Sequence, residues 1–280
     1  MNKIKIVTDS TVDLPNELLG DYGVEIIPLS IYIDGETFTD RVDITPKEFL
    51  LKMEQANELP KSSQPPVGVF LEVYDHWAEE GYEMISIHMS GGLSGTVQAA
   101  ETAAHLTKAK VTVIDSEFIS KGLGFQVIEA AKMAQLGMSR EEIVARVQEV
   151  KRSTRLYVVV DTLENLVKGG RIGKGKAIIG SLLHIKPIAS LESGVYNPVT
   201  TVRSHTQVVK YLAKQLAEDV KGKTIRGVGI AHAEGQVLAH KLKKLITELT
   251  GYEKIDIDYT TPIVSTHTGA GAIGFMYYFD

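Results

Sequence analysis

Two short stretches of the sequence combine hydroxyl side chains with the start of a helical pattern. The first is Ser62-Ser63-Gln64-Pro65-Pro66, and the second is Ser90-Gly91-Gly92-Leu93-Ser94-Gly95-Thr96. Apolar residues at helical spacing follow both. A helix start offers free backbone N–H groups and a positive dipole end, so hydroxyls placed there suit an anion. One such junction is most simply an N-cap. Two of them predict that two helix starts converge on one small anion.

The composition excludes several classes of function. The chain has 280 residues, of which 44% are hydrophobic, and this is enough for two domains with sizeable cores. It contains no cysteine, which excludes disulfides, thiol nucleophiles and cysteine-ligated metals. Its net charge of −5 argues against a nucleic-acid partner, because binding phosphates needs a basic face. The histidines are spread along the sequence, so no metal site is expected.

One uncharged run, 259–279, reaches the roughly 20 residues that a membrane span needs. Pro262, His267 and several glycines and threonines make this run too polar and too broken for a span. We expect a loop followed by a buried terminal strand, and no stable membrane insertion. The chain opens directly on a strand pattern rather than a signal peptide, and the lack of cysteine fits a reducing compartment, so a cytoplasmic location is expected.

The first half of the chain alternates strands and helices. Met84–His88 and Val111–Ile114 are short apolar runs suited to buried parallel strands. Amphipathic segments separate the strands, and Ser139 with Glu142 forms a capping box that begins one of the helices. This alternation is typical of a doubly wound parallel sheet, and it predicts an N-terminal α/β domain over residues 1–152.

The pattern changes after residue 152. Several strands follow one another with few helices between them, and the turn Glu192-Ser193-Gly194 joins two as a hairpin. Two amphipathic helices, Thr206–Glu218 and Gln236–Leu249, interrupt the strands. These features predict a C-terminal α+β domain over residues 153–280 with a largely antiparallel sheet.

Other stretches leave alternatives open. Gly169–Gly175 is glycine-rich and basic, but it lacks the spacing and the final Lys-Ser/Thr of a P-loop, so it is either an exposed turn or an anion loop. Gly269–Gly274 matches GxGxxG without a following βαβ unit, which argues against a dinucleotide site. His267 is either a hydrogen-bonded loop residue or a donor near the anion. Thr8–Thr11 follows the first strand and either caps a helix or shapes a ligand crevice.

Five motifs, in this order along the chain, resemble the DegV family of bacterial fatty-acid-binding proteins. They are Ile6-Val7-Thr8-Asp9-Ser10-Thr11-x-Asp13-Leu14, Ser62-Ser63-Gln64-Pro65, Leu93-Ser94-Gly95-Thr96, Gly169-Gly170-Arg171-Ile172 and His267-Thr268-Gly269-Ala270-Gly271. The resemblance covers essentially the whole chain. It implies a two-domain α/β protein that holds one long-chain fatty acid, of about 14 to 18 carbons, between its domains and needs no other cofactor.

The same resemblance implies a division of labour. In better-understood members, the protein is the acyl-binding subunit of a fatty acid kinase, and a separate ATP-binding subunit converts the carboxylate to acyl phosphate for phospholipid synthesis. The family's carboxylate contacts fall on Ser62 and Ser94 of this sequence. Ser62 stands where threonine is usual, and Pro66 stands where serine is frequent. The hydroxyl is kept, so we expect carboxylate binding to survive, while the chain-length preference stays open.

The resemblance also implies supporting positions near the head group or the partner-facing surface. These are Ser63, Gly95, Thr96, Arg171, Arg203 and His267. No catalytic residue is expected in this chain. Two alternatives remain: a stand-alone acyl or phosphoryl transferase that uses the glycine-rich loop at 169–175, and a lipid-buffering protein without a kinase partner.

Overall fold

The computed structural model describes residues 3–174 and 185–280. Its strands are β1 (Lys3–Asp9), β2 (Glu25–Ile27), β3 (Ser30–Ile33), β4 (Glu36–Thr39), β5 (Lys61–Ser63), β6 (Tyr82–His88), β7 (Val111–Asp115), β8 (Arg155–Val159), β9 (Lys186–Glu192), β10 (Val195–Val202), β11 (Ile225–His232), β12 (Ile255–Tyr259) and β13 (Ile273–Phe279).

The helices of the described part lie between these strands. They are α1 (Asn16–Asp21), α2 (Pro46–Gln55), α3 (Val67–Glu79), α4 (Thr96–Leu106), α5 (Ser120–Gln135), α6 (Arg140–Ser153), α7 (Glu164–Lys168), α8 (His205–Asp219), α9 (Gln236–Thr250) and α10 (Pro262–Thr268). The predicted capping box at Ser139 is confirmed, because its hydroxyl and the Glu142 carboxylate each bond the other's backbone N–H. Among these residues no helix is long and apolar enough to cross a membrane.

The N-terminal sheet has the strand order β2-β1-β6-β7, and its strands pair in parallel. Successive residues of β1 face opposite sides of the sheet. Val7 packs with α3 and α4, while Ile6 packs with Leu123 and Val127 of α5. Helices therefore cover both faces, which confirms the predicted doubly wound arrangement.

The second sheet has the order β10-β9-β8-β13-β11-β12 and is antiparallel except for the β11–β12 pair. Ser193 and Gly194 form the predicted hairpin turn, with φ angles of 50° and 76°. Helices α8 and α9 cover one face. On the other face, Val158 and Met276 share a core with α5 of the N-terminal half. The predicted largely antiparallel sheet is confirmed, whereas the boundary at residue 152 stays a prediction.

Three short elements were not expected from the sequence. Strand β5 joins β3 and β4 in a small third sheet of order β4-β3-β5. Helix α7 follows β8. The expected loop between β12 and β13 contains α10, which begins at Pro262. A proline presets the first helical residue, but seven residues are too few to display a helical hydrophobic period, so the loop prediction was wrong here.

Candidate ligand-binding site

A cavity of about 220 Å³ opens where β5, the start of α4, the residues after α7 and the end of α10 meet. Its polar lining includes Ser62, Ser63, Gln64, Ser94, Arg171, His267 and Thr268, together with the tyrosine Tyr196. Its apolar lining includes Leu29, Met89, Leu93, Ile119, Ile263 and Val264. Four of the five sequence motifs thus contribute side chains to one cavity.

A smaller pocket of about 20 Å³ continues this cavity inwards. The two pockets share the residues Ile119, Tyr196, Val264 and Thr268. Beyond this passage the inner pocket is lined mainly by apolar residues, which include Leu156, Val158, Ala231, Ala272, Ile273 and Met276. The combined space is polar at its outer end and apolar where it reaches the second large sheet, a distribution that suits an amphipathic ligand.

Ser62 and His267 meet at the polar end. The distance between Ser62 Oγ and His267 Nε2 is 2.7 Å, although the two residues are far apart in sequence. Burial, and then the charge of Arg171, lowers the pKa of His267 from 6.5 to about 4, so its ring is neutral at pH 7. His267 lies in the last turn of α10, not in the expected loop.

The proton of the His267 ring has a preferred position. Nδ1 is buried and has no hydrogen-bond partner among the described residues. A buried N–H without an acceptor is rarer and costlier than an acceptor left without a donor. The favoured tautomer therefore carries its proton on Nε2 and donates it to Ser62 Oγ. The Ser62 O–H is then free to donate to a ligand.

Ser94 sits at the N-terminus of α4. Its hydroxyl accepts the Thr96 N–H at 3.3 Å and lies 2.8 Å from Thr96 Oγ1. Gly95 is the N-cap residue, and a Cβ placed on it would overlap the Gln64 side chain. The absence of a side chain at Gly95 therefore lets the two hydroxyl stretches touch, as their predicted convergence requires.

Ser62 does not lie at a helix start. It is part of β5, where it pairs with Ile31, and α3 begins only at Val67, with Pro66 as an N-cap that makes no side-chain hydrogen bond. Residues that precede prolines favour extended backbone, so the two prolines keep this segment out of the helix. The prediction of two converging helix starts was therefore wrong. One helix start and one strand meet at the cavity.

Arg171 joins the glycine-rich motif to the start of α4. Its Nε donates to the Leu93 carbonyl at 3.1 Å, and its Nη1 donates to the Gly169 carbonyl at 2.6 Å. Gly169 packs directly on the His267 ring, where any side chain would overlap Nδ1. Gly169 and Arg171 thus pack at the wall of the cavity, whereas Gly170, Gly173 and Lys174 are exposed. Gly175, the last residue of the predicted loop, lies outside the described residues.

The first motif supports the cavity from behind. Asp9 is buried, and its Oδ2 accepts the N–H of Met89, a lining residue, at 2.7 Å. Ser10 Oγ accepts the N–H of Leu29, another lining residue, at 3.1 Å. These bonds hold the backbone of two residues that line the cavity. The segment Thr8–Thr11 therefore supports the apolar wall without lining the cavity itself.

Asp13 from the same motif holds α10. Its carboxylate accepts the Thr260 hydroxyl at 2.6 Å and the Thr261 N–H at 2.8 Å, at the point where α10 begins. It also accepts the hydroxyl of Ser120, the first residue of α5. Burial raises the pKa of the Asp13 carboxyl, and these hydrogen bonds oppose that rise. Asp13 therefore links the helix that carries His267 to the N-terminal half.

The supporting residues predicted from the sequence differ in their placement. Ser63 lines the cavity and is exposed, and Thr96 is buried against Ser94. Arg203 is exposed just beyond β10, where its N–H donates to Gln207, and it is not among the described residues that line the cavity. Tyr196 was not predicted, because it lies in an ordinary strand pattern without a motif.

A wider groove of about 580 Å³ lies elsewhere, between residues 13–17, 41–48 and 258–262. Four of the five acidic side chains that line it in the described part of the chain, Asp13, Asp43, Glu48 and Asp258, already have local partners. Glu48 completes the capping box of α2, and Asp258 pairs with Lys121 at 2.5 Å. Nowhere in residues 3–174 and 185–280 do histidine and acidic side chains form a group that could hold a metal ion. The two-pocket cavity is therefore the better candidate site.

Comparison with known proteins agrees with the motifs. The family of uncharacterised DegV proteins matches residues 3–280. A DegV domain-containing protein of Listeria innocua is 43% identical over 281 residues, which cover 100% of both chains. A fatty-acid-binding DegV family protein from Thermus thermophilus has 33% identity and a TM-score of 0.92 over 99% of both chains. DegV of Bacillus subtilis, a fatty acid binding protein, has 32% identity and a TM-score of 0.91 over 100% of both. The chain belongs to the DegV family.

Proposed function

We propose that this protein binds one long-chain fatty acid, with the carboxylate at the polar end of the cavity and the tail between the two large sheets. The observation that carries the proposal is a single space with the Ser62–His267 pair at one end and apolar side chains at the other. The Thermus and Bacillus relatives, which bind fatty acids, support it.

The proposed head-group site uses neutral donors. Ser62 and Ser94 donate their hydroxyl hydrogens, and the first N–H groups of α4 add the positive end of a helix dipole. Arg171 is half-buried beside them and favours an anion. The described lining of the cavity contains no Asp or Glu that would repel a carboxylate. Neutral His267 orients Ser62 so that its hydrogen faces the ligand.

The tail provides most of the proposed affinity. Burying an acyl chain of about 16 carbons at about 0.8 kcal/mol per CH₂ gives roughly 10 kcal/mol before ordering costs. The carboxylate contacts then fix which end of the ligand faces out. The inner pocket is narrow, and Met89 and Met276 border the space, so flexible side chains can adjust to the tail.

We further propose that the protein presents this carboxylate to a separate ATP-dependent kinase subunit, which forms the acyl phosphate for phospholipid synthesis. The sequence supports this because it contains no P-loop motif of its own. Arg171 at the cavity, with Lys174 and Arg203 on the surface, can counter the charge of a transferring phosphoryl group. Residues 1–152 and 153–280 would be the two domains that enclose the tail, and the use of ATP would place the protein in the cytoplasm.

The first test is native mass spectrometry of freshly purified protein, followed by lipid extraction. We expect one fatty acid of about 14 to 18 carbons per chain. The double variant Ser62→Ala with Ser94→Ala should fold but retain less lipid. Ser153→Ala, whose hydroxyl contacts the Val150 carbonyl at the end of α6, is the control. A ligand-free mass that persists after soaking with oleate and palmitate would contradict fatty-acid binding.

The kinase partnership needs its own experiment. Tagged protein loaded with fatty acid should recover an ATP-binding subunit from cell extract, and the pair should convert ATP to ADP in a fatty-acid-dependent way. Recovery of no such subunit would favour a lipid-buffering role. Turnover of ATP or an acyl donor by the purified chain alone would favour the stand-alone transferase.

A further inference from the structure

Tyr196 is a buried residue whose hydroxyl the proposed head-group chemistry does not use. It lies on β10 opposite Leu191 of β9, and the residue is only 4% exposed. No group within residues 3–174 and 185–280 hydrogen-bonds to this hydroxyl. Burial alone raises the pKa of the phenol, as expected where no charge or hydrogen bond opposes it.

Tyr196 lies where the ligand would pass from the outer cavity to the inner pocket. It lines both pockets, together with Ile119, Val264 and Thr268. The Thr268 hydroxyl already donates to the Val264 carbonyl at 3.1 Å, and the other two side chains are aliphatic. Of the side chains that line this passage in the described part of the chain, only Tyr196 has a polar atom without a protein partner.

The backbone around Tyr196 is held on two sides. Gly173 approaches so closely, with φ of +57°, that a Cβ on it would lie 2.6 Å from the Tyr196 carbonyl oxygen. The hairpin tip is fixed by the Gly194 carbonyl, which accepts the Ser90 hydroxyl at 2.7 Å. Strand β10 therefore cannot shift to bring the phenol to solvent without losing these contacts.

A saturated acyl chain would leave this hydroxyl unsatisfied. Burying a hydroxyl without a partner is unfavourable, and phenylalanine would fill the same volume without that cost. An oxygen atom on the acyl chain at this depth would form the missing hydrogen bond. A site that bonds a ligand hydroxyl also discriminates against ligands that lack one.

We propose that this protein accepts long-chain fatty acids that carry a hydroxyl group along the acyl chain, and that Tyr196 hydrogen-bonds to that hydroxyl. The inference rests on the proposed function, because the tail passes Tyr196 only when the carboxylate occupies the Ser62 and Ser94 end. Tyr196 is then a specificity residue that acts on the tail, separate from the groups that bind the carboxylate.

The test compares stearic acid with a series of hydroxystearic acids that carry the hydroxyl at different carbons. Binding is measured by calorimetry on delipidated wild-type protein and on Tyr196→Phe. We expect one isomer to bind the wild type about five to ten times more tightly than stearic acid. In Tyr196→Phe this preference should vanish, while stearic acid binds equally well or better. The preferred isomer reports how far Tyr196 lies from the carboxylate.

Tyr74→Phe serves as the matched control, since it removes a buried hydroxyl that bonds Ser86 Oγ at 2.8 Å, away from the cavity. It should keep the preference of the wild type. A wild type that prefers no isomer, or a preference that survives in Tyr196→Phe, would overturn the inference. If stearic acid and every isomer fail to bind the wild type, the proposed function is wrong, and this inference is wrong as well. Stearic acid binding without any preference refutes only the role of Tyr196.

Discussion

The neutral His267 ring makes stability depend on pH in a way that can be calculated. Its pKa is about 4 in the folded protein and 6.5 in the unfolded chain, so the unfolded chain binds more protons below pH 6.5. Stability is therefore lost as the pH falls from 6.5 towards 4 and is fully present above that window. From these two values, the loss reaches about 2 kcal/mol at about pH 5 and about 3 kcal/mol at about pH 4.

The assay is urea unfolding of wild type and His267→Gln at a series of pH values between about 5 and 8. Other groups titrate in both proteins and cancel in the difference. The wild type should therefore lose about 2 kcal/mol relative to the variant across this range. Gln98→Ala, exposed on α4, should give a difference that does not change with pH. A constant offset between wild type and His267→Gln would refute the argument that His267 is folded as a buried neutral base.

The same measurement bears on the ligand. A carboxylate bound beside Ser62 would favour the protonated ring and raise the pKa of His267. Saturating fatty acid should therefore shrink the acid-dependent loss of unfolding free energy in the wild type. The pH dependence of the unfolding free energy of His267→Gln should stay the same. An identical loss with and without fatty acid would mean that the carboxylate binds away from this ring.

Two substitutions test the packing around the site. Gly169→Ala should displace the His267 ring, because any Cβ there overlaps Nδ1, and it should reduce fatty acid retention measured by mass spectrometry. The control Gly68→Ala, where a Cβ meets nothing within 4 Å, should retain as much fatty acid as the wild type. Equal retention in both variants would contradict the packing argument. Asp13→Asn cannot accept from all three of its present donors, so we expect a loss of about 1 to 3 kcal/mol in urea unfolding, and an unchanged midpoint would show that Asp13 does not hold the start of α10.

The elements that sequence reasoning predicted correctly are those whose signals are local. The capping box at Ser139 needs only residues three apart, and the turn at Ser193 and Gly194 is indicated by a glycine, which accepts positive φ without strain. The apolar run Met84–His88 is a central strand because both faces of the parallel sheet are covered. Such patterns are compatible with few local structures, so the structure that they predict is also the one observed in the fold.

The elements that were missed depend on distant contacts. Helix α10 is too short to show a helical pattern of apolar residues in the sequence. Its start is instead held by Asp13, far away in sequence, which accepts the N–H of Thr261. Strand β5 exists because Ser62 finds Ile31 of β3 as a partner. Hydroxyls ahead of an amphipathic run look like a helix cap, but only the tertiary pairing decides between cap and strand.

The candidate site divides in the same way. Ser62, Ser94, Arg171 and His267 surround one cavity, while their roles towards a ligand stay predictions. The convergence of the Ser62 and Ser94 stretches was predicted from their hydroxyls, and His267 near the anion was one of two alternatives. Arg171 was added by the resemblance, because nothing local relates it to the other three residues. Tyr196 carried no signal, since a tyrosine in an alternating strand is usually a core residue. What distinguishes it is a hydroxyl at the passage between the two pockets that has no hydrogen-bond partner among the described residues.

The polar end of the cavity is organised before any ligand arrives. Ser62 is oriented by His267, Ser94 by the start of α4, and Arg171 by two carbonyls that occupy its Nε and Nη1. A carboxylate would therefore meet donors that need little reordering, which lowers the entropic cost of binding. The apolar end is the opposite, since its inner pocket has room for about one water molecule and must widen for a tail. It follows that the head-group end sets the orientation, while the selection among acyl chains is made where Tyr196 and the methionines must accommodate the tail.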